Sequence, residues 1–303
     1  MIPSLTIGSH TITWGARTLV MAILNATPDS FSGDGLLASE PPIPAGMEER
    51  AEAGLEFARL CLAGGADILD VGGESTRPGS EPVPAEEEMR RVLPLIRAIA
   101  AEFPQALISI DTYKARVAEA ALQCGAQLVN DVWGLRADPE LAQVAARHGA
   151  PVILMHNRSN PASLEVRERL GKAYAGAEYG DLLADVKREL MNSVSLARKA
   201  GIPDGHILLD PGIGFGKTVA QNLELIRRLD EIRMLGFPVL LGPSRKSFIG
   251  YTLNLPPDQR LEGTAAAVAV GITRGADIVR VHDVEAISRV VKMTDAIVRP
   301  QKP

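Results

Sequence analysis

The sequence predicts an α/β fold, a single (β/α)₈ TIM barrel preceded by a short N-terminal β-hairpin. Eight short apolar runs recur along the chain, and each precedes a stretch whose apolar residues are three or four positions apart, as in an amphipathic helix. No linker-like segment divides this series into halves, which favours one barrel over two domains. Apolar residues make up 46% of the chain but aromatic residues only 4%, so the core must be aliphatic, as suits strands buried on both faces.

The elements follow one another over residues 1–303, which we expect to form one domain with the hairpin at 1–16 and the barrel at about 17–298. Gly8 and Ser9, between alternating apolar residues, predict the turn of the hairpin. The strands are predicted at 18–24, 68–71, 106–110, 127–129, 151–155, 206–209, 238–241 and 277–281. The helices are predicted at 48–63, 85–101, 113–123, 138–148, 181–200, 220–235, 261–274 and 284–298. A doubly wound sheet is the alternative architecture.

The charge balance limits the partners that we expect. The chain has 37 acidic and 32 basic residues, a net charge of −5, so it lacks the basic stripe of a nucleic-acid-binding protein. Its overall field repels anions, and an anion site must therefore be built locally from placed cations and backbone amides. No apolar run approaches the ~18 residues of a membrane span, so no membrane partner is expected either.

The two cysteines and the N-terminus indicate the compartment. Cys61 and Cys124 lie in Ala- and Leu-rich stretches far apart in the sequence, as is typical of small buried side chains in a reducing environment. The first fifteen residues have neither the basic start nor the apolar core of a secretory signal. We therefore expect a cytoplasmic protein.

Polar residues stand where each of the eight predicted strands ends. They are Asn25, Asp70 with Glu74, Asp111, Asn130 with Asp131, His156, Asp210, Ser244 to Lys246, and Arg280 with His282. In a barrel these positions meet at the carboxyl ends of the strands, where barrel enzymes carry their chemistry. Some of these side chains could instead cap the next helix, Asp111 being the clearest example, but capping cannot explain all eight.

The order of these groups predicts the kind of ligand. Carboxylates and amides follow strands one to six, whereas Lys246, Arg280 and His282 follow strands seven and eight, where barrels commonly bind phosphate. The sequence therefore predicts a ligand with a polar, hydrogen-bond-donating body and an anionic, phosphorylated end.

Three further segments bear on the site. The glycines at 210–218 lack the spacing of a nucleotide-binding loop, and Pro211 has no N–H for a phosphate, so we expect a tight backbone close to a flat ligand. The long segments 27–47 and 72–84 are predicted to be lids over the site. His156 could contact the ligand or only pack a loop.

Seven motifs, in order, resemble those of the dihydropteroate synthase family, over nearly the whole chain. They are MAILNATPDSFS at 21–32, DILDVGGESTRPG at 67–79, SIDT at 109–112, VND at 129–131, the segment 210–217, SRKSF at 244–248 and RVHD at 280–283. The resemblance implies an enzyme of folate biosynthesis, a transferase that joins 4-aminobenzoate to 6-hydroxymethyl-7,8-dihydropterin diphosphate and releases diphosphate. It also implies Mg²⁺ as cofactor, a homodimer and competition by sulfonamides.

The family's roles carry over to the matching positions. The pterin is expected to bind Asp111, Asn130, Asp210 and Lys246, and the diphosphate to bind Asn25, Arg280 and His282, with Asn25 as the metal ligand. The 4-aminobenzoate pocket is expected to consist of Phe31, Thr76, Arg77, Pro78, Phe215 and Ser247. Lys246, Asp111 and Asp34 are the expected catalytic residues. In the mechanism that the resemblance implies, the C–O bond breaks before the amine attacks, so no side-chain nucleophile is expected.

One departure and two alternatives remain. The family has its acid directly after the Ser that follows Phe31, whereas here Gly33 intervenes and Asp34 is displaced by one position. A pterin-dependent methyltransferase with a corrinoid partner would share the pterin carboxylates but would not need the diphosphate-binding residues Arg280, His282 and Asn25. A pterin-binding paralogue without turnover is the non-enzymatic alternative.

Overall fold

The structure, a computed structural model, describes residues 4–8, 10–26, 47–160 and 162–299. Its strands are β1 (Ser4–Ile7), β2 (His10–Thr13), β3 (Leu19–Asn25), β4 (Ile68–Gly72), β5 (Leu107–Asp111), β6 (Leu128–Asp131), β7 (Val152–Met155), β8 (Leu164–Arg167), β9 (Gly171–Tyr174), β10 (Ile207–Asp210), β11 (Leu240–Leu241) and β12 (Ile278–Val281). Its α-helices are α1 (Met47–Ala63), α2 (Ala85–Glu102), α3 (Ala115–Gln123), α4 (Leu141–His148), α5 (Leu182–Lys199), α6 (Val219–Arg227), α7 (Leu229–Arg233), α8 (Ser247–Leu253), α9 (Leu261–Thr273) and α10 (Val284–Val298).

Eight parallel strands form the predicted barrel. They are hydrogen-bonded in the order β10-β7-β6-β5-β4-β3-β12-β11, and every pair is parallel. A bridge between Leu209 and Val239 joins the two outer strands and closes the ring. The prediction of a TIM barrel with an N-terminal hairpin is therefore confirmed.

Because successive side chains of a strand point to opposite faces of the sheet, they alternately face the helices and the inside of the barrel. Val20, Ala22 and Leu24 of β3 belong to the large aliphatic cluster beneath the helices. Leu19 and Met21, on the other face, join a second cluster inside the ring. The first inward residue of the other strands is apolar in the same way: Ile68, Leu107, Leu128, Ile153, Leu208, Leu240 and Ile278. The amino end of the barrel is therefore filled with apolar side chains.

The N-terminal hairpin covers this filled end. β1 and β2 pair in an antiparallel register that joins Ile7 to His10 across a turn containing Gly8, which has the left-handed φ of +56° that glycine tolerates. Leu5, Ile7 and Trp14 are buried in the same cluster as the first inward residues of the strands. The hairpin therefore leaves the opposite, carboxyl end of the barrel for a ligand.

The structure departs from the predicted elements in three places. The expected helix at 220–235 is two helices, α6 and α7, because the backbone of Arg228 leaves the helical region. Leu229 and Ile232 of α7 are buried, so the apolar spacing continues across the break and does not reveal it. The hairpin β8–β9 and the short helix α8 were not predicted.

Among the described helices, none is long and apolar enough to cross a membrane.

Candidate active site

A cavity of about 510 Å³ opens at the carboxyl ends of the barrel strands. It is lined by all twelve of the predicted site residues that the structure describes: Asn25, Thr76, Arg77, Pro78, Asp111, Asn130, Asp210, Phe215, Lys246, Ser247, Arg280 and His282. Phe31 and Asp34 lie outside the described residues, as does all of the predicted lid at 27–47 except Met47. These twelve residues come from seven of the eight strands or from the segments that follow them, so only the closed barrel brings them together.

Arg280 joins two carboxylates at the floor of the cavity. Its Nε donates to Asp70 Oδ2 and its Nη2 to Asp111 Oδ2, both at 2.6 Å. Asn130 Nδ2 also donates to Asp70 Oδ2, at 2.9 Å. Burial raises the pKa of Asp111 to about 7, and the charge of Arg280 opposes that rise. Asp111 is therefore an ion-pair partner rather than a helix cap; α3 begins instead after Lys114, where Ala115 N–H donates to Asp138.

Asp210 and Lys246 lie on the neighbouring side of the cavity. Asp210 is 5% exposed, and Gly212 N–H donates to its Oδ1 at 2.7 Å. Burial raises the pKa of Asp210 and lowers that of Lys246 to about 8, and the two charges attract each other. Lys246 Nζ lies 4.7 Å from the centre of the Phe215 ring and donates to Ile213 O. A cation and a carboxylate acceptor thus face the cavity together.

His282 is held as a neutral imidazole at the eighth strand. Its Nδ1 lies 3.0 Å from the Ser244 hydroxyl. Burial lowers its pKa well below the usual value, and the neighbouring cations Arg245 and Arg280 lower it further. Neutral His282 can donate a hydrogen bond to an anion, and a bound diphosphate would raise its pKa.

The glycine-rich segment after β10 is fixed from behind by Lys217. This side chain is 4% exposed, and its Nζ donates to Gly212 O at 2.8 Å and to Phe215 O at 3.0 Å. Its ammonium therefore binds the segment's own carbonyls, which agrees with the exclusion of a nucleotide-binding loop. Gly212 has φ +70°, and an added Cβ would lie 1.8 Å from His156 O, so the close approach here is to protein backbone.

His156 packs this segment and does not contact the cavity. It is 1% exposed, and its Nδ1 lies 3.0 Å from Lys217 Nζ. Its Nε2 is 3.0 Å from Glu189 Oε2 but without the geometry of a hydrogen bond. Burial, with the nearby charge of Lys217, lowers the pKa of His156 to about 2, so this contact is not an ion pair. The packing alternative from the sequence is the correct one.

The segment 72–84 is tied to the barrel by Glu74. Its carboxylate accepts from Val83 N–H at 2.9 Å, from the Tyr113 hydroxyl at 3.1 Å and from Lys114 Nζ at 2.5 Å. Thr76, Arg77 and Pro78 then line the cavity. Glu74 therefore fixes the start of the segment, and the middle of the segment faces the cavity.

Sequence reasoning missed a group of residues at the mouth of the cavity. They are Leu170, Gly171, Lys172 and Tyr174, all from the turn and second strand of the hairpin β8–β9. The only signal was the length of the segment between the predicted strand at 151–155 and the helix at 181–200. Arg260, just before α9, also lines the cavity and was missed.

The comparisons with known proteins identify the family. The sequence profile of the pterin-binding enzymes matches residues 21–282. The dihydropteroate synthase of Clostridium beijerinckii is 48% identical over 294 residues, which are 97% of this chain and 99% of the relative. The chain belongs to the dihydropteroate synthase family. Its predicted membership is thereby confirmed.

Solved structures of the dihydropteroate synthase family share the fold over nearly the whole chain. The enzyme of Clostridium difficile, solved in the presence of pteroic acid, matches with a TM-score of 0.82 and 43% identity and covers 95% of this chain and 99% of its own. The enzyme of Xanthomonas albilineans, solved with 4-aminobenzoic acid, has a TM-score of 0.85 and 36% identity and covers both chains completely. The likeness therefore includes the carboxyl end of the barrel, where the cavity lies.

Proposed function

We propose that the protein is a dihydropteroate synthase, which condenses 4-aminobenzoate with (7,8-dihydropterin-6-yl)methyl diphosphate to give 7,8-dihydropteroate and diphosphate. The observation that carries this proposal is that carboxylates and an amide meet the cations of strands seven and eight in one cavity. The bond between the methylene carbon and the diphosphate oxygen breaks, and diphosphate leaves with the electron pair. The amine nitrogen then bonds to that carbon and releases one proton to solvent.

The pterin binds at the floor of the cavity. The Asp210 carboxylate can accept hydrogen bonds from the ring N–H and the amino group together, since this planar donor pair matches the two oxygens of a carboxylate. Asn130 and Asp111 hold other edges of the ring, and Lys246 donates to its acceptor side. Asp111 and Lys246 are the catalytic residues of the described part. The Asp111 carboxylate stabilises the positive charge that develops on the ring while the C–O bond breaks, and Lys246 orients the ring from its acceptor side.

The diphosphate binds beside Arg280, His282 and Asn25. Arg280 is 20% exposed although it pairs with Asp70 and Asp111, so part of the guanidinium faces the cavity. The two carboxylates fix its plane, which lowers the cost of ordering it around the leaving group. The attraction of these local cations for the diphosphate outweighs the repulsion from the protein's net charge of −5.

The 4-aminobenzoate lies at the outer end of the cavity. Its amine must point inward, because it attacks the carbon that carries the diphosphate. Phe215 offers an aromatic face, and Thr76, Arg77, Pro78 and Ser247 surround the remaining ring and its carboxylate. Phe31 would complete this pocket from the segment outside the described residues.

We also propose Mg²⁺ as the cofactor. Asn25, at the cavity wall, offers one amide oxygen, the hard donor that Mg²⁺ prefers. Within the described residues no three His, Cys, Asp or Glu side chains are grouped so as to hold a metal, which suits an ion bound by few protein atoms, by water and by substrate phosphate. Asp34 would be a further ligand. When bound, the ion neutralises charge on the leaving diphosphate.

We propose the cytoplasm as the location and a homodimer as the assembly. Both cysteines are free thiols, as is usual in a reducing compartment. For the dimer, Met293 and Ile297 are 64% and 66% exposed and lie one turn apart on α10, so they form an apolar surface on one helix face.

Sedimentation tests the dimer. The wild type should sediment as a dimer, and Met293→Lys/Ile297→Lys as a monomer, because two charges would be buried at the interface. Met234, 82% exposed at the end of α7, provides the control, and Met234→Lys should remain dimeric. A monomeric wild type, or a double variant that still dimerises, refutes the assignment of this surface.

Release of diphosphate tests the function. Purified protein with Mg²⁺ should release diphosphate only when the pterin diphosphate and 4-aminobenzoate are both present. Methyl transfer from methyltetrahydrofolate to a corrinoid protein without diphosphate release would instead identify the methyltransferase. Binding of the pterin diphosphate with neither activity would identify the paralogue.

A further inference from the structure

The hairpin β8–β9 lies outside the barrel sheet, between β7 and α5, and passes across the mouth of the cavity. Its strands pair in an antiparallel register that places Leu164 opposite Tyr174 and Val166 opposite Lys172. Leu170, Gly171, Lys172 and Tyr174 all line the cavity. The hairpin therefore contributes directly to the shape of the outer end.

The turn of the hairpin is attached to the elements that carry Lys246. Arg260, 3% exposed, donates from Nη2 to Leu170 O at 2.8 Å and from Nη1 to Arg245 O at 2.8 Å. Tyr251 of α8 donates its hydroxyl to Gly171 O at 3.3 Å. One buried guanidinium thus links the turn to the residue that precedes Lys246.

The other end of the hairpin is attached to the segment 72–84. The Tyr174 hydroxyl donates to Thr76 O at 3.0 Å. Gly79 has φ +84°, and an added Cβ would lie 3.2 Å from Leu164 Cδ1, so the hairpin packs closely on this segment. The Tyr174 ring lies 6.0 Å from that of Phe215, with the planes tilted by 32°. Tyr174 therefore touches both elements that line the outer end of the cavity.

We propose that Tyr174 is a specificity-determining residue: it forms the outer wall of the 4-aminobenzoate pocket and limits the length of the aromatic amine that the cavity accepts. This inference rests on the proposed function. Since the amine must face the pterin, the carboxyl end of the second substrate points toward the hairpin. The Tyr174 ring is held at its hydroxyl by Thr76 and at its face by Phe215, so it cannot turn aside without losing one of these contacts.

The test compares two amines of different length at saturating pterin diphosphate. They are 4-aminobenzoate and 4-aminobenzoylglycine, which is extended at the carboxyl end alone. Tyr174→Ala should raise the ratio of kcat/KM for the longer amine over the shorter one about tenfold, because it removes the wall. Tyr174→Phe keeps the ring but removes the hydrogen bond to Thr76 O, so it should raise the KM for both amines by a similar factor with little change in that ratio.

Val166→Ala is the matched control, because Val166 is on the same hairpin but 67% exposed. It should leave both kcat/KM values unchanged. Calorimetric affinity for the pterin diphosphate should stay at the wild-type value in all variants, which shows that they are folded; Tyr174→Leu replaces Tyr174→Ala if the latter does not fold.

The outcomes separate this inference from the proposed function. An unchanged selectivity ratio in Tyr174→Ala or Tyr174→Leu, with an active wild type, overturns the role of Tyr174 alone. An equal change in Val166→Ala also overturns it, because the effect would then belong to the hairpin as a whole. A wild type that releases no diphosphate with 4-aminobenzoate overturns the proposed function itself.

Discussion

Asp210→Asn is expected to lower the affinity for the pterin diphosphate about 10- to 100-fold. A hydrogen bond to a charged group contributes about 1.5–3 kcal/mol, and the amide replaces one acceptor by a donor. Gly212 N–H already occupies Oδ1 at 2.7 Å, so the Asn must turn its NH₂ either toward that N–H or toward the donors of the pterin. Two donors would then face each other in a buried site. Isothermal titration calorimetry measures the loss.

Asp277→Asn is the control for this variant. Asp277 is also a buried carboxylate, 1% exposed, but it lies just before β12, at the opposite end of the barrel. There it accepts a hydrogen bond from Val239 N–H. Its replacement should lower the free energy of unfolding and leave the affinity unchanged. Wild-type affinity in Asp210→Asn would show that the pterin does not bind this carboxylate.

Arg280→Met is expected to abolish turnover and to lower the free energy of unfolding by about 3–5 kcal/mol, the usual cost of breaking a buried ion pair from one side. It leaves Asp70 and Asp111 facing each other without a cation. Since Arg280 lowers the pKa of Asp111, its loss raises that pKa above the present value of about 7. The destabilisation should therefore be greatest at high pH and should decrease as Asp111 takes up a proton. Chemical denaturation at pH 6 and pH 8 measures both effects.

Two further variants serve as controls for Arg280→Met. Arg289→Met breaks an exposed pair with Glu285, whose side chains are 75% and 70% exposed, and should change the stability by less than about 1 kcal/mol. The double variant Arg280→Met/Asp111→Asn should regain part of the stability, because one buried charge is removed, but no turnover. If Arg280→Met is as stable as the wild type at pH 8, the carboxylates do not depend on this guanidinium.

Much of the barrel could be predicted because local patterns encode it. The continuous apolar runs, such as 18–24 and 151–155, are typical of strands covered on both faces, and the structure has β3 and β7 there. Polar residues that follow such runs gather at one end of a closed parallel sheet. This is why Asn25, Asp210 and Arg280 could be placed in one site before their distances were known.

The structure of other features depends on long-range contacts that no local pattern encodes. The hairpin β8–β9 depends on contacts with α8 and with Thr76, which are distant in sequence. Asp70 and Arg280 are 210 positions apart, and only the closure of the ring pairs them. The break between α6 and α7 does not disturb the apolar spacing, so no periodicity could reveal it.

The sequence by itself determined the fold class, the end of the barrel that carries the site and the chemical types of its residues, because strand and helix periods and strand-end residues are local properties. The tertiary structure decided which groups are paired, how far burial changes their pKa values and where the cavity ends. Burial and pairing depend on neighbours that meet only after the ring closes. Asp111 is the example: its position follows from the sequence, but its raised pKa and its bond to Arg280 exist only in the folded barrel.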